Sequence, residues 1–157
     1  MARLTIIGVG NLDRGDDAIG LLVVRSIAGY IPPDIDVLEN RGDVTALVTA
    51  LESTENAVVI DAVRSGAEPG TIHTFDAAGG PLPTGCFRCS THAFGLAEAI
   101  ELTRSLGRLP RTLRVYGVEG RDFSTGAALS KGIGEAIENT AERVRDYAGQ
   151  LGGEAGE

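Results

Sequence analysis

The sequence has few of the features that mark secreted, membrane-bound or nucleic-acid-binding proteins. Its only two cysteines, Cys86 and Cys89, are too few for a disulfide framework. No apolar run approaches the roughly 20 residues that a membrane-spanning helix requires. Lysine and arginine number 14 against 22 aspartates and glutamates, and this net charge of −8 disfavours sequence-independent binding to nucleic acid. Met1 leads within three residues into a strand-like stretch, so no signal peptide is expected. We therefore expect a cytoplasmic protein without a membrane or nucleic-acid partner.

The 157 residues have the composition of one globular domain, with 43% apolar and 23% charged residues. Short apolar, β-branched stretches predict five strands, at residues 4–10, 35–39, 57–60, 71–75 and 112–118. The first and the third lack polar alternation, so they should be buried on both faces. Segments with helical spacing of apolar residues alternate with them, beginning at Asp16, after Asp43, after His92 and near Ile133.

This alternation predicts an α/β fold, a three-layer sandwich in which a five-stranded, mostly parallel twisted sheet carries helices on both faces. The link between the third and fourth strands is too short for a parallel crossover, so the fourth strand should run opposite to the third. Residues 1–151 are expected to form a single domain, and residues 152–157 a flexible tail.

Potential metal ligands follow the predicted strands on one edge of the sheet. Sites in open α/β sheets form beyond the carboxyl ends of the strands. Asp16 and Asp17 follow the first strand, Asp61 ends the third, and His92 begins the helix that leads to the fifth. Asp17, Asp61 and His92 offer two carboxylates and one imidazole, which suit a borderline divalent ion such as nickel, zinc or cadmium. His73 lies within the fourth strand, away from this edge, and is expected to be structural.

Other interpretations of these residues stay open. Aspartates in a first helical turn are favoured by the helix dipole, and an aspartate after a strand can cap a loop, both without a metal. Gly8 and Gly10 after a first strand suggest a dinucleotide site, with Glu39 on a ribose, but the third glycine of that fingerprint is replaced by Asp13. Its negative charge, with that of the neighbouring aspartates, would repel a pyrophosphate. The Cys86–Cys89 pair is interpreted as two reduced thiols.

Four blocks in order resemble the hydrogenase maturation endopeptidases, which process the large subunit of nickel–iron hydrogenases. They cover nearly the whole chain and read GVGN with RGDDAIG (8–11 and 14–20), VIDAV (59–63), STHAFGL (90–96), and YGVE with LS (116–119 and 129–130). The resemblance implies a peptidase with a five-stranded sheet between helices. It also implies a substrate, the large-subunit precursor, whose C-terminal extension is removed once nickel has been inserted.

The same resemblance assigns metal contact to Asp17, Asp61 and His92, with Asp17 standing where several members carry glutamate. Nickel is expected to arrive already held by the precursor rather than as a resident ion. The attacking group stays open between a nickel-polarised water and a carboxylate base, Asp16 or Asp17. The alternative function is a non-enzymatic nickel carrier that uses the same three residues together with Cys86 and Cys89.

Overall fold

The computed structural model describes residues 2–83 and 95–155. One sheet contains five strands, β1 (Ala2–Val9), β2 (Asp36–Asn40), β3 (Thr54–Val63), β4 (Ile72–Asp76) and β5 (Thr112–Glu119). The α-helices are α1 (Ile19–Ile27), α2 (Val44–Glu52), α3 (Leu96–Ser105) and α4 (Ile133–Ala155). Short 3₁₀ helices at Gly15–Ala18 and Ala28–Tyr30 flank α1. None of the described helices combines the length and apolar character needed to cross a membrane.

The strand order across the sheet is β2-β1-β3-β5-β4, in which every pairing is parallel except that of β4 with β5. The fourth strand therefore runs opposite to the third, as predicted. The chain moves from β1 outward to β2 and then returns to the other side of β1 for β3. The point where this direction reverses lies between β1 and β3, and ligand sites of open α/β sheets lie beyond the strand ends at such a point.

Helices cover both faces of the sheet, which confirms the predicted three-layer sandwich. On one face α1 and α4 bury a core around Ile6, Ile60 and Val118. On the other face α2 and α3 pack over Ile7 and Val59. Both cores are almost entirely aliphatic, so the removal of apolar surface from water is the main force that holds the layers together.

Helix α1 lies unusually close to the sheet because glycines face one another across the contact. A Cβ atom placed on Gly20 would lie 2.2 Å from the Val9 carbonyl oxygen and 2.4 Å from that of Ile60. One placed on Gly8 would lie 2.2 Å from the Gly20 carbonyl oxygen. The glycine pattern after β1 thus permits close packing of backbone on backbone. Glu39, the residue considered for ribose binding, is held by Arg25 at 2.8 and 3.0 Å.

The ends of several elements differ from the predicted ones. The helical region after β1 starts as a 3₁₀ turn, because the Asp16 amide donates to the Asp122 carbonyl oxygen of a distant loop. Strand β3 extends from Thr54 to Val63, beyond the four residues predicted, since it lies between two neighbours that pair with it along most of its length. Helix α4 continues to Ala155, past Leu151.

Replacing Gly20 with alanine tests the close contact of α1. We expect Gly20→Ala to lower the free energy of unfolding by at least about 2 kcal/mol, because the new methyl group meets two carbonyl oxygens that belong to strands and cannot yield. Urea denaturation followed by circular dichroism measures the change. Gly149→Ala in α4 is the control, since nothing lies within 4 Å of its Cβ position, and it should stabilise by about 0.5–1 kcal/mol. Equal effects of the two substitutions would contradict this account of the packing.

Candidate functional site

Two carboxylates meet where the strand order reverses. Asp17 lies in the 3₁₀ turn after β1, and its carbonyl oxygen accepts a hydrogen bond from the Asn11 amide at 3.2 Å. Asp61 lies on β3, two residues before the end of that strand. Both residues are buried, with 4% of Asp17 and 7% of Asp61 exposed. We call these two residues the carboxylate pair. The edge of the sheet at which β1, β3 and β5 end is called the carboxyl edge.

The carboxylate pair is electrostatically unfavourable by itself. Burial raises the pKa of the Asp61 carboxyl well above its usual range, and the negative charge of Asp17 raises it further. A hydrogen bond of 2.8 Å from the Ala62 amide to Asp61 Oδ1 acts in the opposite direction. A cation between two such carboxylates would remove both the repulsion and the cost of burying the charge. The arrangement is therefore suited to receiving a positive ion.

Asp16 lies beside the carboxylate pair but has a different environment. Its carboxylate is fully buried and accepts hydrogen bonds from the Arg121 amide (2.8 Å), the Asp122 amide (3.1 Å), and both the amide (2.8 Å) and the hydroxyl (2.6 Å) of Ser130. Burial opposes ionisation, but the hydrogen bonds from these groups together lower the pKa of Asp16. The bonds join the loop after β1 to the loop after β5, so Asp16 has a structural role, and its predicted catalytic role stays a prediction.

A further buried carboxylate lies at the end of β5. Glu119 is 1% exposed and accepts hydrogen bonds from the amide and hydroxyl of Ser65, the amide at 2.8 Å. The ring of His73 contacts Glu119 Oε1 through Nε2 at 3.1 Å. Burial raises the pKa of Glu119, but the bonds from Ser65, His73 and the Gly66 amide outweigh burial and lower it. Glu119 is therefore a stable buried anion.

The position of His73 corrects an expectation from the sequence. His73 pairs with Gly117 of β5, and Gly117 in turn pairs with Asp61 of β3. The histidine thus lies at the carboxyl edge rather than away from it, because an antiparallel β4 begins where β5 ends. The short link of residues 64–71, which passes over the end of β5, was the signal that could have placed both His73 and Glu119 there.

The third predicted metal ligand, His92, lies outside the described residues, as do Cys86 and Cys89. Within residues 2–83 and 95–155 there is no group of three or more histidine, cysteine, aspartate or glutamate side chains that could hold a metal ion. The described part of the chain thus brings together two of the three predicted ligands, Asp17 and Asp61.

Comparison with known proteins identifies the family. The sequence model of the HycI family, described as hydrogenase maturation protease, matches residues 22–146. This chain belongs to the hydrogenase maturation protease family. The Hydrogenase 2 maturation protease of Escherichia coli K12 is 28% identical over 157 residues, covering 98% of this chain and 94% of that protein. The hydrogenase expression/formation protein HupD of Thiocapsa roseopersicina is 27% identical over 153 residues, covering 96% of this chain and 69% of that protein. The chain is thus a peptidase of the hydrogenase maturation type, as the sequence blocks implied.

Solved structures of similar proteins share the fold. The hydrogenase maturating endopeptidase HybD from E. coli superposes with a TM-score of 0.73 at 24% identity, covering 90% of this chain and 89% of the other. The NiFe hydrogenase maturation protease HycI from Thermococcus kodakarensis KOD1 gives a TM-score of 0.71, also at 24% identity, with 92% and 91% covered. The α/β architecture of this maturation protease is therefore that of its structural neighbours.

Substituting Asp16 tests its structural role and its charge. Because its pKa in the folded protein lies below the ordinary value of 3.8, the ionised group stabilises the fold above the unfolded-state pKa, and this stabilisation is lost as the pH falls through the folded-state pKa. At pH 7 we expect Asp16→Asn to lower the free energy of unfolding by about 2–3 kcal/mol, since buried N–H groups lose a charged acceptor. The difference from wild type should shrink below about pH 4.

The measurement is urea denaturation across a pH series. Asp43→Asn is the matched control, because Asp43 Oδ1 caps α2 through the Ala46 amide at 3.0 Å and asparagine caps a helix about as well as aspartate. A destabilisation by Asp16→Asn that stays constant from pH 7 to pH 3 would show that the charge of Asp16 is not what holds the two loops.

Proposed function

We propose that this maturation protease removes the C-terminal extension of the large-subunit precursor of a nickel–iron hydrogenase in the cytoplasm, and that nickel held by the precursor is what it recognises. The observation that carries the proposal is the carboxylate pair, Asp17 and Asp61, at the point where the strand order reverses. Membership of the family supplies the reaction class, hydrolysis of a peptide bond.

The electrostatics of the carboxylate pair support recognition of a cation that arrives with the substrate. Burial and the charge of Asp17 both disfavour an ionised Asp61 in the free protein. An arriving divalent ion reverses this preference, since it favours the deprotonated carboxylate. Carboxylate oxygens with one imidazole suit a borderline ion such as nickel. His92 is the proposed third ligand, and ligands of the precursor would complete the coordination.

This arrangement would make metal insertion a condition for cleavage. A precursor without nickel lacks the ion that joins it to Asp17 and Asp61, so its scissile bond is not held beside the protease. Holding the reacting groups in place accounts for much of the rate of such reactions, and the loss of one anchoring contact lowers the rate even when the chemical groups are intact. Processing would then follow metal insertion without a separate sensor.

A cleavage assay tests the proposal directly. Nickel-loaded and nickel-free large-subunit precursors from the source organism are incubated with wild type, Asp17→Asn, Asp61→Asn or His92→Ala, and the shortened product is quantified by mass spectrometry. We expect wild type to cleave only the nickel-loaded precursor and each variant to be at least about 100-fold slower. Glu39→Gln, which alters a carboxylate paired with Arg25 on the surface, is the control and should cleave at the wild-type rate. Equal cleavage of nickel-free precursor would exclude nickel as the recognised element.

Calorimetric titration of the free protein with nickel separates the protease from a carrier. We expect weak binding of about one ion per chain, lost in Asp61→Asn, because the precursor's own ligands are absent. Because the pKa of Asp61 is raised, a proton and the ion compete for its carboxylate. The affinity should therefore rise as the pH rises through that pKa, and binding below it should release protons into the buffer. Tight binding that survives Asp61→Asn and is lost in Cys86→Ser with Cys89→Ser would instead favour the carrier.

A further inference from the structure

The carboxylate of Glu119 does more than hold the chain together at the end of β5. The link of residues 64–71 is already closed by backbone hydrogen bonds, from the Gly70 amide to the Glu119 carbonyl oxygen at 2.7 Å and from the Glu119 amide to the Thr71 carbonyl oxygen at 2.8 Å. A buried charge costs free energy even when it is well bonded. The closure of this link therefore does not account for a buried carboxylate at residue 119.

Glu119 determines which nitrogen of His73 carries the proton. An ionised carboxylate can only accept hydrogen bonds, so His73 Nε2, at 3.1 Å from Oε1, is the donor. The neutral imidazole then has its lone pair on Nδ1, and no hydrogen bond to Nδ1 is formed by the residues that the structure describes. The His73 side chain is 27% exposed, in contrast to 2% for that of Glu119. The carboxylate thus fixes the tautomer and leaves Nδ1 as the nitrogen that can accept a proton.

The ring of His73 is also held from the side. It stacks on the ring of Phe75, two residues along β4, with centroids 6.2 Å apart and planes inclined by 16°. The carboxylate and the aromatic ring together fix the ring, as proton transfer requires. Among the described residues, Glu119 is the charged or titratable group that faces His73. The hydroxyl of Ser65 donates a hydrogen bond to the same carboxylate.

His73 and Asp61 lie on one face of the sheet. Asp61, Gly117 and His73 form a single row across β3, β5 and β4. Val63 and Val115, in phase with Asp61 and Gly117, belong to the core beneath α2 and α3, and Phe75, in phase with His73, packs against the same core. The row spans two strand spacings, about 10 Å between the outer Cα atoms. The residue between Asp61 and His73 is a glycine, which places no side chain there. A peptide held through Asp61 would thus extend toward His73 within a few residues.

We propose that His73 is the proton-transfer residue of the peptidase reaction and that Glu119 is the residue that positions it. The inference rests on the proposed function for its substrate. Nδ1 takes a proton from a water molecule as the water oxygen bonds to the scissile carbonyl carbon. The carbon–nitrogen bond then breaks, and the same proton passes to the leaving nitrogen. One water is consumed, a carboxyl group and an amine are formed, and His73 returns to its starting state.

Two substitutions separate proton transfer from structure. His73→Gln keeps an amide N–H that can donate to Glu119 but removes the base. We expect the single-turnover rate of cleavage of nickel-loaded precursor to fall at least about 100-fold, with precursor affinity and thermal unfolding midpoint close to wild type. His73→Gly with added imidazole should regain part of the rate. Glu39→Gln is again the control, since its carboxylate pairs with Arg25 on the surface.

Glu119→Gln tests the positioning role by a signal that does not depend on cleavage. The chain has two histidines, so nitrogen-15 NMR of wild type and His92→Ala assigns the His73 signals. At a pH where the ring is neutral, wild type should show the tautomer protonated at Nε2, and Glu119→Gln should shift the equilibrium toward a mixture. Its single-turnover rate should fall by about tenfold or more, without loss of precursor affinity.

The outcomes distinguish this inference from the function on which it rests. If wild type cleaves nickel-loaded precursor and His73→Gln cleaves it at a rate within twofold of wild type, the proposed role of His73 is overturned and the proposed function is not. A variant that cleaves slowly only because it binds precursor weakly would also overturn it, since His73 would then be a binding residue. An unchanged tautomer in Glu119→Gln would overturn the positioning role. Failure of wild type to cleave any nickel-loaded precursor of the source organism would overturn the proposed function, and this inference with it.

Discussion

The buried carboxylate of Asp16 is the contact on which the candidate site depends. It lies in the first turn after β1, and it accepts hydrogen bonds from residues 121, 122 and 130, which are more than 100 positions away in the chain. These bonds hold together the loops at the ends of the first and last strands. Asp17, the next residue, is placed by the same turn. Its position beside Asp61 is thus a consequence of its neighbour's hydrogen bonds.

The carboxyl edge contains buried acids in two contrasting environments. Asp16 and Glu119 are surrounded by N–H and O–H donors, which lower their pKa despite burial. Asp61 has one backbone donor and a second negative charge nearby, so its pKa is raised. The carboxylates of Asp16 and Glu119 thus find their hydrogen-bond donors within the protein. Asp61 lacks a positive partner among the described residues, and this difference is the physical basis for the proposed roles: Asp16 and Glu119 hold other groups in place, and Asp61 recognises the cation.

Much of the fold could be predicted because short β-branched strands alternate with helices and the central strands are buried on both faces, a pattern that leaves few other architectures. Asp17 and Asp61 could be placed together because the carboxyl ends of parallel strands share an edge. The role of Asp16 could not be predicted, since its partners belong to a loop whose approach depends on the whole fold. The sequence marked Glu119 only as part of the block YGVE that resembles the family. Its contacts with Ser65 and His73 could not be predicted, because they arise from a link that passes over the end of β5. His73 was misplaced although the direction of β4 was predicted correctly.

The backbone contact between α1 and the sheet has a mechanical consequence for the site. Gly20 faces the carbonyl oxygens of Val9 and Ile60 with no room for a Cβ atom, so α1 cannot slide or rotate without collision. The turn that carries Asp17 runs directly into this helix, and its distance to Asp61 is therefore set before any substrate arrives. Stiff sets of ligands discriminate among ions by radius and preferred geometry, whereas flexible ones adapt to each. Under the proposed function, selectivity for the metal of the precursor would derive from helix-to-sheet packing as much as from the chemistry of the two carboxylates.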